Sequence, residues 1–206
     1  MNAERLSERL PRATRDLHTQ AERAGVMRRL LAGHVGRGEY VRLLASLHAI
    51  YAALERALGD ARVRALAPLP NLGRTAALAC DLRDYGAPPG ATTPAPLAAD
   101  YATHVAGLVA HDPLRVAAHA YVRYLGDLSG GQMVRGIVVQ AGHLPAGRGV
   151  AFYDLGDAAT VARTKTDIRT VLDTLPASRH DDVIAEARVA FERHVALFAA
   201  IPAGED

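Results

Sequence analysis

The chain lacks tryptophan and contains a single cysteine, Cys80, which excludes an internal disulfide and a thiolate-rich metal site. Long apolar runs are also absent, because no stretch reaches the roughly 20 residues that a membrane-spanning helix requires. The segment 1–15 alternates charged and apolar residues and has no apolar signal-peptide core. We therefore expect a cytoplasmic protein that has no membrane anchor.

An excess of charge of either sign is missing as well. The 206 residues include 24 Lys and Arg and 22 Asp and Glu, and the basic residues are spread along the chain. The net charge of +2 gives no general case for binding nucleic acid or a membrane surface. Half of the residues are apolar, which is enough for a sizeable core. We expect residues 1–206 to form a single domain.

Helix-forming residues are abundant, since alanine, leucine and arginine dominate the composition. No strand pattern or repeat is present, so we predict an all-α fold. Ser7 is the predicted N-cap of the first helix and Gly25 its end. The segments 87–96 and 142–149 are predicted loops. The spacing of apolar residues predicts helices over 7–24, 40–58, 72–85, 97–110, 113–141, 158–175 and 177–200.

Three glycines within six positions, Gly126, Gly130 and Gly131, interrupt the fifth predicted helix. Each glycine costs about 1 kcal/mol of helix stability relative to alanine, so another interaction should offset this penalty. The pattern alone leaves three interpretations open: a loop between two helices, a close helix crossing, or a flat ligand lying against the backbone. A phosphate-binding loop does not fit, because no strand precedes the segment and no Lys-Ser/Thr follows it.

The sequence around these glycines resembles a known motif. Tyr121-Val-Arg-Tyr-Leu-Gly-Asp-Leu-Ser-Gly-Gly-Gln132, preceded by Ala118-His-Ala, resembles the distal-helix motif of the heme oxygenase family. Thr14-Arg-Asp-Leu-His18-Thr-Gln-Ala-Glu22 is similar to the proximal-helix motif of that family. The resemblance covers nearly the whole chain and suggests a soluble bacterial member similar to the animal-type enzymes. It implies a single-domain multi-helix fold with heme sandwiched between a proximal helix and a kinked distal helix.

The resemblance also implies an activity, the cleavage of heme to biliverdin, carbon monoxide and ferrous iron with oxygen and electrons. Heme b is then both cofactor and substrate. No flavin or nicotinamide fingerprint is present, so a separate ferredoxin or flavoprotein reductase is the implied electron donor. Two alternatives are a heme carrier or sensor without turnover and a thiaminase-like hydrolase on the same scaffold. The hydrolase needs a nucleophilic cysteine, whereas Cys80 is alone in a setting typical of a structural residue.

On the proximal side, the resemblance implies that His18 is the axial ligand of the heme iron. Glu22 lies four residues later on the same helix face, where its carboxylate can accept the other ring N–H of the ligand. By spacing alone, His18 and Glu22 equally form an ordinary exposed pair. The family pattern also places Phe191 and Phe198 against the porphyrin, and Met27 is a similar candidate because polarizable side chains fit irregular apolar walls.

The heme propionates require cations, and the resemblance assigns this role to Lys165 and Arg169 and, more weakly, to Arg15. Tyr121 offers a phenol for the same purpose. By spacing alone these are solvated surface groups. Pro11 departs from the family pattern, because many animal members carry a lysine at this position. Fewer cations are therefore expected around the propionates.

On the distal side, the resemblance implies that Gly126 and Gly130 leave one heme face free of side chains. A strong acid beside the reacting oxygen would favour O–O cleavage over attack on a meso carbon. Asp127 is the predicted holder of an ordered water network, with Arg123 and Tyr51 as its partners; by spacing alone, Arg123 and Asp127 form a surface ion pair. His194 falls where animal members place an asparagine, and a histidine there is expected to titrate near neutral pH.

Overall fold

The computed structural model describes residues 4–66, 69, 72–145 and 147–204. Within these ranges the chain forms helices and no strand, so the predicted all-α class is confirmed. The three residues before position 4, the last two residues, and Ala146 in the predicted loop 142–149 lie outside the described residues. The α-helices are α1 (Leu6–Arg23), α2 (Gly25–Leu31), α3 (Arg37–Leu58), α4 (Arg74–Asp84), α5 (Pro96–His111), α6 (Val116–Ala120), α7 (Gly126–Ala141), α8 (Ala158–Asp173) and α9 (His180–Ala200).

The first helix differs from its prediction at both ends. Arg5 occupies the N-cap, and the backbone N–H and hydroxyl of Ser7 instead donate to the carboxylate of Asp173, each at 2.8 Å. Gly25 does not simply end α1, because it begins α2, a helix that the sequence analysis missed. Gly25 has φ of +34°, and a Cβ there would lie 1.9 Å from the carbonyl oxygen of Phe198. Only glycine allows α2 to turn so closely against α9.

The predicted long helix 113–141 is several helical segments in series. A 3-10 turn, Pro113–Arg115, leads into α6, and a π-helical turn, Tyr121–Leu125, joins α6 to α7. Gly126, Gly130 and Gly131 all lie in regular α-helix, so the loop interpretation of this segment is wrong. The irregularity precedes the glycines, and π-helical turns of this kind are frequent at functional sites.

One cluster of buried apolar residues joins the helices. On α1 the residues Leu6, Leu10, Thr14, Leu17 and Ala21 share one buried face, which packs on α9 and α8. The helix α3 packs between α4 and α5, and α2 contacts both α9 and α7. This arrangement places α1, α2, α7 and α9 around a common opening. Across the described residues, no helix combines the length and hydropathy needed to cross a bilayer.

Candidate active site

A cleft of about 340 Å³ opens between α1, α2, α7 and α9, a volume typical of small-molecule sites. Much of its lining is apolar and comes from α2, α3 and α9, which suits a hydrophobic ligand. Nine of the predicted site residues line this cleft: His18, Glu22, Met27, Arg123, Gly126, Asp127, Gly130, Phe191 and Phe198. The structure therefore brings together residues that are up to 180 positions apart in the sequence.

His18 forms the α1 side of the cleft, and its side chain is 55% exposed. Its Nδ1 atom lies 3.7 Å from Oε1 of Glu22, and the edge of its ring packs on Phe191 with centroids 5.8 Å apart. Within the described part of the chain, no side chain or backbone group pairs with its Nε2. A neutral imidazole that carries its proton on Nδ1 offers the Nε2 lone pair to a metal ion.

Gly126 and Gly130 form the α7 side of the cleft. A Cβ added to either glycine would meet no atom within 4 Å, so neither glycine serves a close helix crossing. A side chain at these positions would instead extend into the cleft that both residues line. The flat-ligand interpretation accounts for this geometry, because a planar molecule between His18 and α7 would need that space. The residues present therefore fit a heme with one axial histidine.

Asp127 lies at the cleft beside these glycines and is held by two donors. Arg123 Nη2 donates to its Oδ1 at 3.0 Å, the Tyr51 hydroxyl donates to its Oδ2, and Arg123 Nε donates to the Tyr51 oxygen at 3.0 Å. The Arg123 and Asp127 side chains are only 12% and 9% exposed, so the interpretation as a surface ion pair is wrong. Burial raises the pKa of Asp127, although Arg123 and Tyr51 both oppose this shift.

His194 joins this network on the opposite side of Arg123. Its Nδ1 lies 2.7 Å from the carbonyl oxygen of Ala190 and must donate to it. Its Nε2 therefore accepts from Arg123 Nη1 at 3.3 Å. Burial, followed by the positive charge of Arg123, lowers the pKa of His194 well below 6.5. The expectation that His194 titrates near neutral pH is wrong, because a second positive charge in this buried position is unfavourable.

This shift predicts a pH-dependent stability. The unfolded chain binds a proton at residue 194 near pH 6.5, whereas the folded chain does not, so acid favours unfolding. We expect the free energy of unfolding of the wild type to fall more steeply than that of His194→Asn between about pH 7 and 5. Urea denaturation at several pH values measures both slopes. The exposed His34→Asn variant should retain the wild-type slope. If its stability depended on pH as weakly as that of His194→Asn, the pH dependence could not be assigned to His194.

Four predicted binding residues do not line the cleft. Arg15 and Arg169 are exposed, and Lys165 is half-buried beside Gln132 at a separate depression. The Tyr121 hydroxyl lies 3.3 Å from Thr14 Oγ1. Burial raises the pKa of Tyr121, while its hydrogen bond with Thr14 and then the positive charge of Arg169 oppose the shift. Among the described residues, no carboxylate lies within ion-pair distance of Arg15, Lys165 or Arg169. Their role stays a prediction.

Several residues that line the cleft were not predicted from the sequence. Ser129 follows Gly126 by three residues and shares its helix face, so the spacing within the motif was enough to predict that Ser129 lines the cleft. Phe152 and Tyr153 come from a 3-10 turn, Ala151–Tyr153, and no periodic pattern predicts that they reach the cleft. The hydroxyl groups of Tyr153 and Tyr40 are 3.2 Å apart in a buried pair on this side.

Comparison with known proteins agrees with this geometry. The family model described as heme oxygenase matches residues 4–200. Heme oxygenase 2 of Synechocystis is 36% identical over 196 residues, which cover 90% of this chain and 78% of the relative. Human heme oxygenase 1 is 38% identical over 205 residues, covering 94% and 70% of the two chains.

Solved structures give the same result. The crystal structure of heme oxygenase-2 from Synechocystis in complex with heme and NO superposes with a TM-score of 0.89 at 33% identity, covering 96% of this chain and 85% of that one. The heme oxygenase structure from Leptospira interrogans gives a TM-score of 0.84 at 28% identity, covering 95% and 99%. The implied fold and enzyme class are therefore confirmed. The chain belongs to the heme oxygenase family, whose members are enzymes that degrade heme.

Proposed function

We propose that the cleft binds one heme b between His18 and the glycines of α7 and that the protein, a single domain over residues 1–206, cleaves it to biliverdin, carbon monoxide and ferrous iron. One observation carries this proposal. His18, whose Nε2 has no partner among the described residues, lines the same cleft as Gly126 and Gly130. The missing side chains of these glycines leave room for a planar ligand. Bound heme supplies the iron at which oxygen is activated and the ring that is opened.

His18 is the proposed axial ligand through Nε2, and Glu22 holds the opposite ring nitrogen. A carboxylate that accepts the Nδ1 proton fixes the tautomer and strengthens the nitrogen donor. The present separation of 3.7 Å lies beyond a direct hydrogen bond, so a bridging water or a shorter contact would complete this interaction. Phe191 packs on the imidazole and, with Phe198 and Met27, provides the apolar wall for the porphyrin.

On the distal face, Gly126 and Gly130 place no acidic side chain at the reacting oxygen. Asp127 is the carboxylate that lines the cleft next to these glycines, and its proposed role is to hold ordered water that would supply protons on this face. Arg123 and Tyr51 fix the position of that carboxylate. Because burial raises the pKa of Tyr51 well above 10, this residue remains a phenol and keeps donating.

Arg15, Lys165 and Arg169 are the proposed partners of the propionates, with Tyr121 beside them. Their lack of carboxylate partners in the described residues leaves these charges available to an anionic ligand. The resemblance to the propionate-binding pattern supports Lys165 and Arg169 most strongly. Because the residues are exposed or half-buried, each contact should contribute modestly to affinity.

We expect Lys165→Gln and Arg169→Gln each to weaken heme binding by about two- to fivefold, or about 0.4–1 kcal/mol, the upper part of the usual range for an exposed ion pair. Arg163→Gln is a matched control, because Arg163 is an exposed arginine of the same helix that hydrogen-bonds to Thr160. Titration of heme at low and high salt measures the effect. Equal affinities for Arg169→Gln and Arg163→Gln would contradict the assignment.

The proposed partners are heme, molecular oxygen and a separate electron donor, either a ferredoxin or a flavoprotein reductase. The absence of a flavin or nicotinamide fingerprint from the sequence supports a separate donor. We also propose a cytoplasmic location, where reduced carriers of this kind are available. Neither nucleic acid nor a membrane is an expected partner.

The function is tested by adding heme to the purified protein, recording the spectrum, and then supplying ascorbate or a reductase under air. Loss of the heme spectrum with formation of a bilin and release of one carbon monoxide per heme is the expected result. A stable spectrum under reducing conditions would instead indicate a heme carrier, and the absence of any heme spectrum would refute the proposal.

A further inference from the structure

A second cluster of potential ligand atoms lies outside the cleft, between α5, α6 and α9. His104 Nε2 and His119 Nε2 lie 2.6 Å and 3.0 Å from the same oxygen, Oε1 of Glu186. The three ligand atoms are all within 4.8 Å of one another. None of the three residues lines the heme cleft, so the proposed function does not use them.

The cluster is enclosed but has one open side. The side chains of His119 and Glu186 are 1% and 3% exposed, whereas His104 is 25% exposed and gives a route from solvent. The Nδ1 atom of His119 lies 2.9 Å from the Tyr101 hydroxyl, which fixes the plane of the imidazole. An orienting contact on the far ring nitrogen is typical of histidines that bind metals.

We propose that His104, His119 and Glu186 form a binding site for one divalent transition-metal ion. Two imidazole nitrogens and one carboxylate oxygen are a ligand set that Zn²⁺ and Fe²⁺ both accept, with water completing the coordination. Tetrahedral bonds of about 2.0–2.2 Å place ligand atoms roughly 3.3–3.6 Å apart, so the present separations of 2.6 Å, 3.0 Å and at most 4.8 Å require only small side-chain shifts. On binding, metal bonds replace the two contacts to Glu186, and His119 carries its proton on Nδ1, where it donates to Tyr101.

The charges around the cluster suit this role. Burial lowers the pKa of His119, so its imidazole is neutral near pH 7. Burial opposes ionisation of Glu186, but hydrogen bonds from His119 and His104 lower the pKa of its carboxyl to about 2. Metal ligands must be neutral imidazole and ionised carboxylate, and His119 and Glu186 already have these states.

Among the described residues, Arg115 is the arginine or lysine within ion-pair distance of Glu186, and two further carboxylates share its charge. Arg115 Nη1 lies 3.5 Å from Oε2 of Glu186, the oxygen that does not contact the histidines. The same guanidinium lies 2.9 Å from Asp112 and 3.4 Å from Asp182. Its charge is therefore shared among three carboxylates, and its contact with Glu186 orients the carboxylate without displacing a metal.

The test is a calorimetric titration of the full-length, chelator-treated protein with Zn²⁺, with Co²⁺ absorption to report nitrogen coordination. We expect one equivalent to bind, with at least tenfold weaker binding in His104→Gln and in Glu186→Gln. His111→Gln, an exposed histidine at the end of the same helix as His104, should retain wild-type affinity. Because His104 lies at the partly exposed edge, its variant should fold even if Glu186→Gln does not.

Anaerobic competition between Fe²⁺ and Zn²⁺ then identifies the preferred ion. Absence of zinc binding in the wild type, or equal zinc affinity in wild type and His104→Gln, would overturn the proposal and leave a hydrogen-bonded cluster. This result is independent of heme turnover, which uses other residues. A protein that fails to degrade heme can therefore still bind the metal, and the reverse also holds.

Discussion

Asp127→Ala should lower the rate of biliverdin formation by about 100-fold or more, the usual scale for loss of a proton-transfer group, while heme still binds. The reason is geometric, because Asp127 is the carboxylate that lies in the cleft next to the glycines of α7. Its removal takes away the acceptor that holds water near the reacting oxygen. Heme affinity should change little, since the iron ligand and the apolar wall belong to α1, α2 and α9. The measurements are heme titration and bilin formation under the same reductant.

Two further variants separate this role from stability. Removing the carboxylate leaves the buried Arg123 without its ion-pair partner, which typically costs about 3–5 kcal/mol of unfolding free energy. Asp127→Asn keeps the shape and one acceptor, so it should be more stable than Asp127→Ala and still impaired in turnover. Asp100→Ala, an exposed aspartate on α5, should retain wild-type activity. If Asp127→Ala forms biliverdin at the wild-type rate, the proposed water-holding role is wrong.

The sequence predicted those parts of the fold that depend on local pattern. The apolar spacing along 40–58 and 158–175 gave helices whose observed bounds, Arg37–Leu58 and Ala158–Asp173, differ by three residues or fewer. The site residues were predicted by resemblance, since spacing alone described His18 as an exposed histidine and Arg123 as a surface cation. His18 and Arg123 line the same cleft, and the apolar pattern of a single helix cannot show that two residues on different helices are close.

The missed features depend on contacts between distant segments. The helix α2 is short, and its path is set by the approach of Gly25 to the backbone of Phe198. The state of His194 depends on its burial and on Arg123, 71 positions earlier in the chain. Likewise, His104, His119 and Glu186 come from three helices, and only their packing places the ligand atoms at one point. The path of α2, the protonation state of His194 and the position of the three ligand atoms all depend on tertiary contacts, which the spacing of residues in the sequence does not report.

His18→Ala should abolish the axial nitrogen ligand, with a loss of turnover on the order of 100-fold and heme binding weakened at least tenfold. Groups that hydrogen-bond to a metal ligand already contribute 10- to 100-fold, so loss of the ligand itself should cost no less. The change in the heme spectrum is the direct measurement, because replacement of imidazole by water alters the ligand field of the iron. His34→Ala, an exposed histidine outside the cleft, is the matched control.

Rescue by added imidazole distinguishes ligation from a merely structural role. The alanine side chain leaves space beside Phe191, and His18 is 55% exposed, so free imidazole can enter this side of the cleft. We expect it to restore the wild-type spectrum and part of the turnover in His18→Ala while leaving Asp127→Ala unchanged. A wild-type spectrum in His18→Ala before imidazole is added would show that another residue binds the iron. Because Glu22 acts through the ring it contacts, Glu22→Gln should shift the spectrum only when His18 is present.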